Sequence, residues 1–315
     1  MKIVFLDVGT LGSGVSTEKI SELGEYKTYN NTNSKELRER IEDVEVIITN
    51  KVCIGKNEID YSKSLKLICV AATGYNNIDI EYAREKGITV LNVKNYSTNS
   101  VVQTVFSYIL HFENQISNYD KDVKNGKWSK SEFFTLLKYN FDDLTEKTIG
   151  IIGYGDIGKK VKLIADSFGM NVLLAKVDNS KNYIENRVSL EEIFKKSDYI
   201  TIHIPLNENT KNLITKDYLS MMKKDAVIIN TARGGIINES DLYDALISKK
   251  IKGAAIDVML NEPPKSDNKL FSLKNVLITP HIAWGSIQSR KNLIKGIYEN
   301  ISSFKKGDNL KNSVY

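Results

Sequence analysis

The stretch KTIGIIGYGDIGKKVKLIADSFGM, residues 147–170, decides the fold. It opens on an apolar run, turns on the three glycines Gly153, Gly155 and Gly158, and continues with Ile157, Val161, Ile164, Ala165 and Phe168 at helical spacing. Strand, turn and helix follow one another. In that context Gly153 permits a tight turn, Gly155 lets the backbone approach a pyrophosphate, and Gly158 lets helix and strand pack closely. The free N–H groups of the helix start add a partial positive charge facing the phosphates. A glycine triplet alone also occurs in bare packing turns; here its position between a buried strand and an amphipathic helix favours a dinucleotide.

Apolar, β-branched runs alternate with amphipathic stretches on both sides of this loop, which predicts parallel sheets with helices on both faces and an α/β class. Downstream, strands are expected at 148–152, 171–175, 199–204, 226–230, 254–258 and 276–279, enough for a doubly wound dinucleotide-binding sheet. Upstream, strands are expected at 2–6, 44–49, 66–72 and 89–93, with helix-like stretches at 16–23, 35–41 and 78–86. These form one complete small α/β unit. A long apolar helix pattern covers 100–114, and the polar stretch after it, to about residue 143, reads as a connector. A last helix over 286–305 can return to the first unit. The domains are therefore set at 1–98 with 286–315, and 99–285.

The 315 residues suffice for two cores. Hydrophobic content of 41% and charged content of 26% are ordinary for a globular chain, and the longest apolar runs are strand-length, so no membrane contact is expected. MKIVFLDVG, residues 1–9, carries Asp7 and no small-residue cleavage site, so it reads as a strand rather than a signal peptide. Cys53 and Cys69 are the only cysteines; their spacing suggests neither a redox pair nor a metal site, and a cytoplasmic location is expected. The net charge of +5 comes from interspersed acids and bases with no basic run threaded by aromatics, which argues against nucleic acid. Small anionic ligands suit it better.

Three segments each follow a predicted strand of the second series: INTARGG (229–235), DVMLNEPP (257–264) and TPHIAW (279–284). Arg233, Glu262 and His281 should thus project from the carboxyl edge of the sheet, where such folds bind ligands. Reduction of a 2-keto acid needs a cation for the carboxylate and ketone, and an acid to protonate the oxygen as hydride arrives at carbon. Arg233 fits the first task through two-point guanidinium geometry, and only six of the 44 basic residues are arginine. His281, paired with a carboxylate such as Glu262, fits the second. Singly, an Arg-Gly-Gly reads as a surface loop, a Glu-Pro-Pro as a turn and a histidine as structural; together, in a chain with the glycine loop, they point to chemistry. His203 could at best border an adenine pocket, and no histidine pair has zinc spacing, so no metal is expected.

GYGDIG (153–158), INTARGGIINE (229–239), AIDVMLNEPP (255–264) and TPHIAW together resemble the D-isomer-specific 2-hydroxyacid dehydrogenase family over almost the whole chain. AATGYNNID (71–79), NVKNYSTNSV (92–101) and Trp284 look most like its glycerate dehydrogenases, or hydroxypyruvate reductases. The resemblance implies a Rossmann domain inserted in a discontinuous flavodoxin-like substrate domain. It implies Arg233 as substrate anchor, His281 as proton donor and acceptor, and Glu262 as its partner. Coenzyme contacts would come from Tyr154, Asp156 and Ile157 of the glycine loop, from Pro205 and Thr231, and from Asp257 at the carboxamide. The backbone of Thr73 and Gly74 would receive the substrate carboxylate, and Trp284 would also meet the substrate, hydroxypyruvate or glyoxylate. A homodimer through the connector is also implied. Gln103 and Thr104 stand where relatives often carry a histidine. Two rivals are a corepressor-like dinucleotide sensor without turnover and a phosphoglycerate dehydrogenase; for the latter no basic cluster for a phosphate is evident.

One position departs further. Lys176 lies 18 residues after Gly158, near the spacing at which an acid accepts from the ribose 2′-hydroxyl of NAD(H). Lysine cannot accept that bond but can meet the 2′-phosphate of NADP(H), while Asp178 follows two residues on. The expectation is NAD(H) or NADP(H), tilted toward NADP(H); the plain reading, a solvated lysine in a lysine-rich chain, stands beside it.

Overall fold

The structure, a computed structural model, describes residues 1–176 and 187–315. It separates into two compact units, one of Met1–Ser97 with Trp284–Tyr315 and one of Thr98–Ala283.

The first unit carries a parallel sheet of β1 (Lys2–Phe5), β2 (Glu25–Thr28), β3 (Val46–Thr49), β4 (Leu67–Val70) and β5 (Thr89–Leu91), ordered β2-β1-β3-β4-β5. Its inner strands are apolar on both faces, as a sheet covered by helices requires. Ile3, Phe5, Val46, Ile48, Leu67 and Cys69 face one core, which the helix Ile287–Lys306 closes with Leu293, Ile297 and Ile301. Val4, Ile47, Ile68 and Val70 face the other, under Leu37, Ile41, Ile59 and Ala83. Strand order reverses between β1 and β3, and the carboxyl ends of the strands form the natural ligand edge of this unit.

The second unit carries β6 (Thr148–Ile152), β7 (Asn171–Ala175), β8 (Arg187–Val188), β9 (Tyr199–Ile202), β10 (Val227–Asn230), β11 (Gly253–Ile256) and β12 (Val276–Ile278). All pair in parallel in the order β12-β11-β10-β9-β6-β7-β8, the doubly wound dinucleotide-binding order with one strand added. Ile149, Ile151, Val227 and Ile229 point to a core built with Val105, Ile109, Val161 and Ala165 from the helices Thr98–Asn114 and Asp156–Ser167. Ile152, Ile200, Ile202 and Ile228 point to the opposite core. The reversal falls between β6 and β9, at the glycine loop.

Two strands escape the periodicity reading. β2 is EYKT, an edge strand whose side chains are exposed or half-buried, so it lacks an apolar signature; β8 has two residues. The helix-like stretch 16–23 is a 3-10 helix, Glu18–Leu23. The connector contains a helix, Ile116–Lys124. No helix among the described residues is long and apolar enough to cross a membrane.

Candidate active site

The glycine loop has the geometry its three glycines suggest. Gly153 takes φ +104°, and a Cβ there would lie 2.5 Å from the His203 carbonyl oxygen. A Cβ on Gly158 would lie 2.1 Å from the Gly153 carbonyl oxygen. At Gly155, by contrast, nothing among the described residues stands within 4 Å of the Cβ position, leaving a cradle over the start of the helix Asp156–Ser167, whose N-cap is that glycine and supplies no side-chain cap. Open backbone beside uncapped N–H groups suits a pyrophosphate. Tyr154 and Ile157 lean on the core beneath, and Asp156 is exposed in the first turn. Across the sheet, the Thr231 hydroxyl is buried with no hydrogen-bond partner among the described residues, and Pro205 follows β9 with its carbonyl held by Thr210 Oγ1 at 2.6 Å. These residues fit a dinucleotide.

His203 lies beneath this loop. Its N–H donates to the Ile152 carbonyl at 2.7 Å and its Nε2 meets Thr201 Oγ1 at 2.9 Å. Burial depresses its pKa to about 3, so the imidazole stays neutral at physiological pH.

Lys176 is exposed at the end of β7, with its N–H donating to the Val188 carbonyl at 2.7 Å. The β6–β7 register pairs Ile151 with Leu174, which puts Lys176 level with Gly153. Asp178, the acid considered beside it, lies outside the described residues.

His281 and Glu262 meet directly: Nδ1 to Oε2 is 2.6 Å. The other carboxylate oxygen of Glu262 accepts from the Met259 N–H at 3.0 Å, so its own loop holds the acid. His281 has φ +55°, a left-handed backbone uncommon for a residue with a Cβ, and its N–H is shared between the carbonyls of Asp257 at 2.8 Å and Thr279 at 3.0 Å. Asp257 is the footing of this segment. Its Oδ1 accepts from Thr279 Oγ1 at 2.5 Å and Ile282 N–H at 2.8 Å, and its Oδ2 from Ala283 N–H at 2.8 Å. Burial pushes the Asp257 carboxyl up, and these donors oppose the shift. Tyr108, on the long helix, bonds Thr279 from the other side.

Arg233 stands on the neighbouring loop after β10. Asn230 clamps that loop at both ends, donating from Nδ2 to the Arg233 carbonyl at 2.8 Å and accepting the Ala232 N–H at 3.0 Å. The guanidinium is anchored once, Nη1 donating to the Ala232 carbonyl at 2.7 Å. Gly234 lies against the Glu262 loop so tightly that a Cβ would fall 2.0 Å from the Met259 carbonyl carbon. The loops of Arg233 and Glu262 are thereby packed backbone to backbone.

Thr73 and Gly74 follow β4 in the first unit, where Thr73 Oγ1 donates to the Val93 carbonyl at 3.0 Å and Asn92 Nδ2 donates to the Thr73 carbonyl at 2.7 Å. Trp284, also of that unit, meets Tyr96 edge-on at 6.1 Å between ring centroids. Asn230, Asp257 and Asn92 fall inside INTARGG, DVMLNEPP and NVKNYSTNSV, but those segments do not reveal which distant backbone groups they clamp. No group of three or more metal-ligating side chains occurs among the described residues.

Comparison with known proteins agrees with this picture. A model of the D-isomer specific 2-hydroxyacid dehydrogenase NAD binding domain matches residues 106–283. The glycerate dehydrogenase of Methylorubrum extorquens is 38% identical over 309 residues, covering 97% of this chain and 96% of its own. The hydroxypyruvate reductase of Blautia hydrogenotrophica is 37% identical over 316 residues, covering 98% of each. Among solved structures, an acyclic imino acid reductase in complex with NADPH and D-Arg superposes with a TM-score of 0.88 at 31% identity, over 100% of both chains.

Proposed function

Since this chain belongs to the D-isomer specific 2-hydroxyacid dehydrogenase family, we propose that it reduces hydroxypyruvate to D-glycerate with NAD(P)H, and glyoxylate to glycolate as a second activity. The observation that carries a catalytic rather than a sensory role is the 2.6 Å bond between His281 and Glu262. Glu262 accepts from Nδ1–H, which leaves Nε2 to carry the proton delivered to the ketone oxygen. Arg233 holds the substrate carboxylate and polarises the ketone. Asp257 keeps His281 in place through the backbone of 279–283. The unit 98–283 holds the dinucleotide, which when bound supplies the hydride; the unit built from both chain ends carries the substrate loop of Thr73 and Gly74.

Steady-state kcat/KM across hydroxypyruvate, glyoxylate, pyruvate and branched 2-keto acids tests the assignment. Hydroxypyruvate should lead. A preference for a branched acid would sink the glycerate assignment, and coenzyme binding without turnover on any keto acid would favour the sensor.

NADP(H) is proposed as the preferred coenzyme, on the exposed Lys176 level with the glycine turn and on the NADPH bound by the imino acid reductase. Lys176→Asp should shift the ratio of NADH to NADPH efficiency toward NADH by about tenfold, the scale of a single charge-assisted hydrogen bond. An unchanged ratio would make the lysine a bystander.

A homodimer is proposed through the connector. There Phe133, Phe134 and Leu137, close in sequence, are 74%, 89% and 79% exposed, apolar side chains of the kind that an interface covers. Asp122 braces the segment, taking Lys127 at 2.5 Å, Lys138 at 2.8 Å and the Tyr139 hydroxyl at 3.0 Å. Sedimentation at micromolar concentration should report twice the chain mass for the native protein and a monomer for Phe134→Ser with Leu137→Ser; a native monomer would refute it. Two free thiols, Cys53 exposed and Cys69 buried, fit the proposed cytoplasmic location, which cell fractionation would check.

A further inference from the structure

We infer that Asn92 is a positioning residue for the substrate carboxylate, acting through the Thr73–Gly74 peptide; the inference rests on the keto-acid reading above. Asn92 follows β5 and is 2% exposed. Its Nδ2 donates to the Thr73 carbonyl at 2.7 Å, and the Thr73 hydroxyl donates to the carbonyl of the next residue, Val93, at 3.0 Å. Two bonds to the end of β5 therefore fix the orientation of Thr73. In a trans peptide the C=O of one residue and the N–H of the next point in opposite directions. With the Thr73 carbonyl turned inward to Asn92, the Gly74 N–H is turned away from it, toward the surface of the loop. That N–H is one of the donors assigned to the carboxylate, and its aim is set from behind.

Among the described residues the Asn92 side-chain amide has no other partner. Its Oδ1 is buried and makes no hydrogen bond among the described residues, so the side chain carries an unsatisfied acceptor while its donor serves Thr73. An apolar side chain would avoid that cost of burial. What the amide contributes is the hold on one carbonyl.

Asn92 is in turn gripped by the C-terminal segment. Its N–H donates to the Asn312 carbonyl at 3.2 Å and its carbonyl accepts from Asn300 Nδ2 at 2.8 Å, while Asn312 Nδ2 donates to Asn300 Oδ1 at 2.8 Å. Ser313 bridges Leu91, and the Val314 N–H donates to the Val90 carbonyl at 3.2 Å. Residues 312–314 thus lie along β5 as a strap that locks the strand end from which Asn92 reaches the loop. The chain of contacts runs from Asn312 through Asn300 and Asn92 to the Thr73–Gly74 peptide.

Asn92→Ala removes the donor to Thr73, and Asn312→Ala loosens the strap without touching the loop. With hydroxypyruvate and saturating NADPH or NADH, Asn92→Ala should raise KM about tenfold with kcat held within about threefold, the pattern of lost uniform binding. The coenzyme Kd, read by fluorescence, should not move. Asn312→Ala should shift KM in the same direction by a smaller factor, and it decides the matter if Asn92→Ala does not fold. A merely structural role would lower Tm and the active fraction at unchanged KM. A native enzyme that turns over keto acids, with unchanged KM in the folded variants, would overturn this inference alone. A native protein with no turnover would overturn the keto-acid reading and this inference with it.

Discussion

Replacing His281 by asparagine should lower kcat for keto-acid reduction about a thousandfold while leaving KM and coenzyme Kd within about threefold, the scale of a lost general acid. Asparagine is the informative choice because the His281 backbone sits at φ +55°. Asparagine tolerates the left-handed region, whereas alanine or glutamine would add strain to the loss of chemistry. The N–H bonds to the Asp257 and Thr279 carbonyls belong to the main chain and survive the change. Tm should therefore move little, and circular dichroism and coenzyme binding should match the native protein. What disappears is the imidazole whose Nδ1 is fixed by Glu262 and whose Nε2 would deliver the proton in the proposed reaction. A loss of kcat below about tenfold would place the proton donor elsewhere, because positioned side-chain acids contribute at least about a hundredfold.

How far the sequence reveals this site depends on whether each part leaves a local signal. The strands β3, β9 and β10 (VIIT, YITI and VIIN) are buried along their whole length, and continuous apolar runs between helical patterns announce them. The glycine loop is readable because Gly153 and Gly158 answer local steric demands, visible as the 2.5 Å and 2.1 Å approaches there. The edge strand β2 is not, since half-exposed Glu, Tyr, Lys and Thr have no reason to alternate. Arg233, Glu262 and His281 are legible as types of residue at strand ends. Their supports are not. Asp257 holds amides 25 and 26 residues away, and Asn92 holds a carbonyl 19 residues back. Such bonds depend on which strands become neighbours, and no periodicity encodes that. Gly234 reads as one more loop glycine until the Met259 backbone is found against it.

Arg233→Lys is expected to reduce kcat/KM for 2-keto acids by about a thousandfold, with KM rising and kcat falling together, because two charge-assisted bonds and part of the oxyanion stabilisation are lost. Lysine keeps the charge, so a purely electrostatic role would leave most of the activity. The geometry argues for more than charge. Asn230 clamps the loop at Ala232 N–H and at the Arg233 carbonyl, and Gly234 is wedged on the Met259–Leu260 backbone, so the main chain at Arg233 is fixed before any ligand arrives. The guanidinium commits one Nη1 bond to the Ala232 carbonyl, which sets the orientation of its plane. A planar group held that way offers its remaining donors as a fork, and two oxygens of a keto acid can meet it together. Lysine, with a single ammonium on a flexible stem, can neither brace against Ala232 and reach the substrate at once nor span two oxygens in fixed geometry. Coenzyme Kd and Tm should stay near native values, since nothing in the glycine loop or the core changes. If Arg233→Lys kept kcat/KM within about tenfold, the fork would be irrelevant and Arg233 would act as a point charge; a loss near a thousandfold with an intact coenzyme site would identify two-point recognition as the source of the selectivity for 2-keto acids.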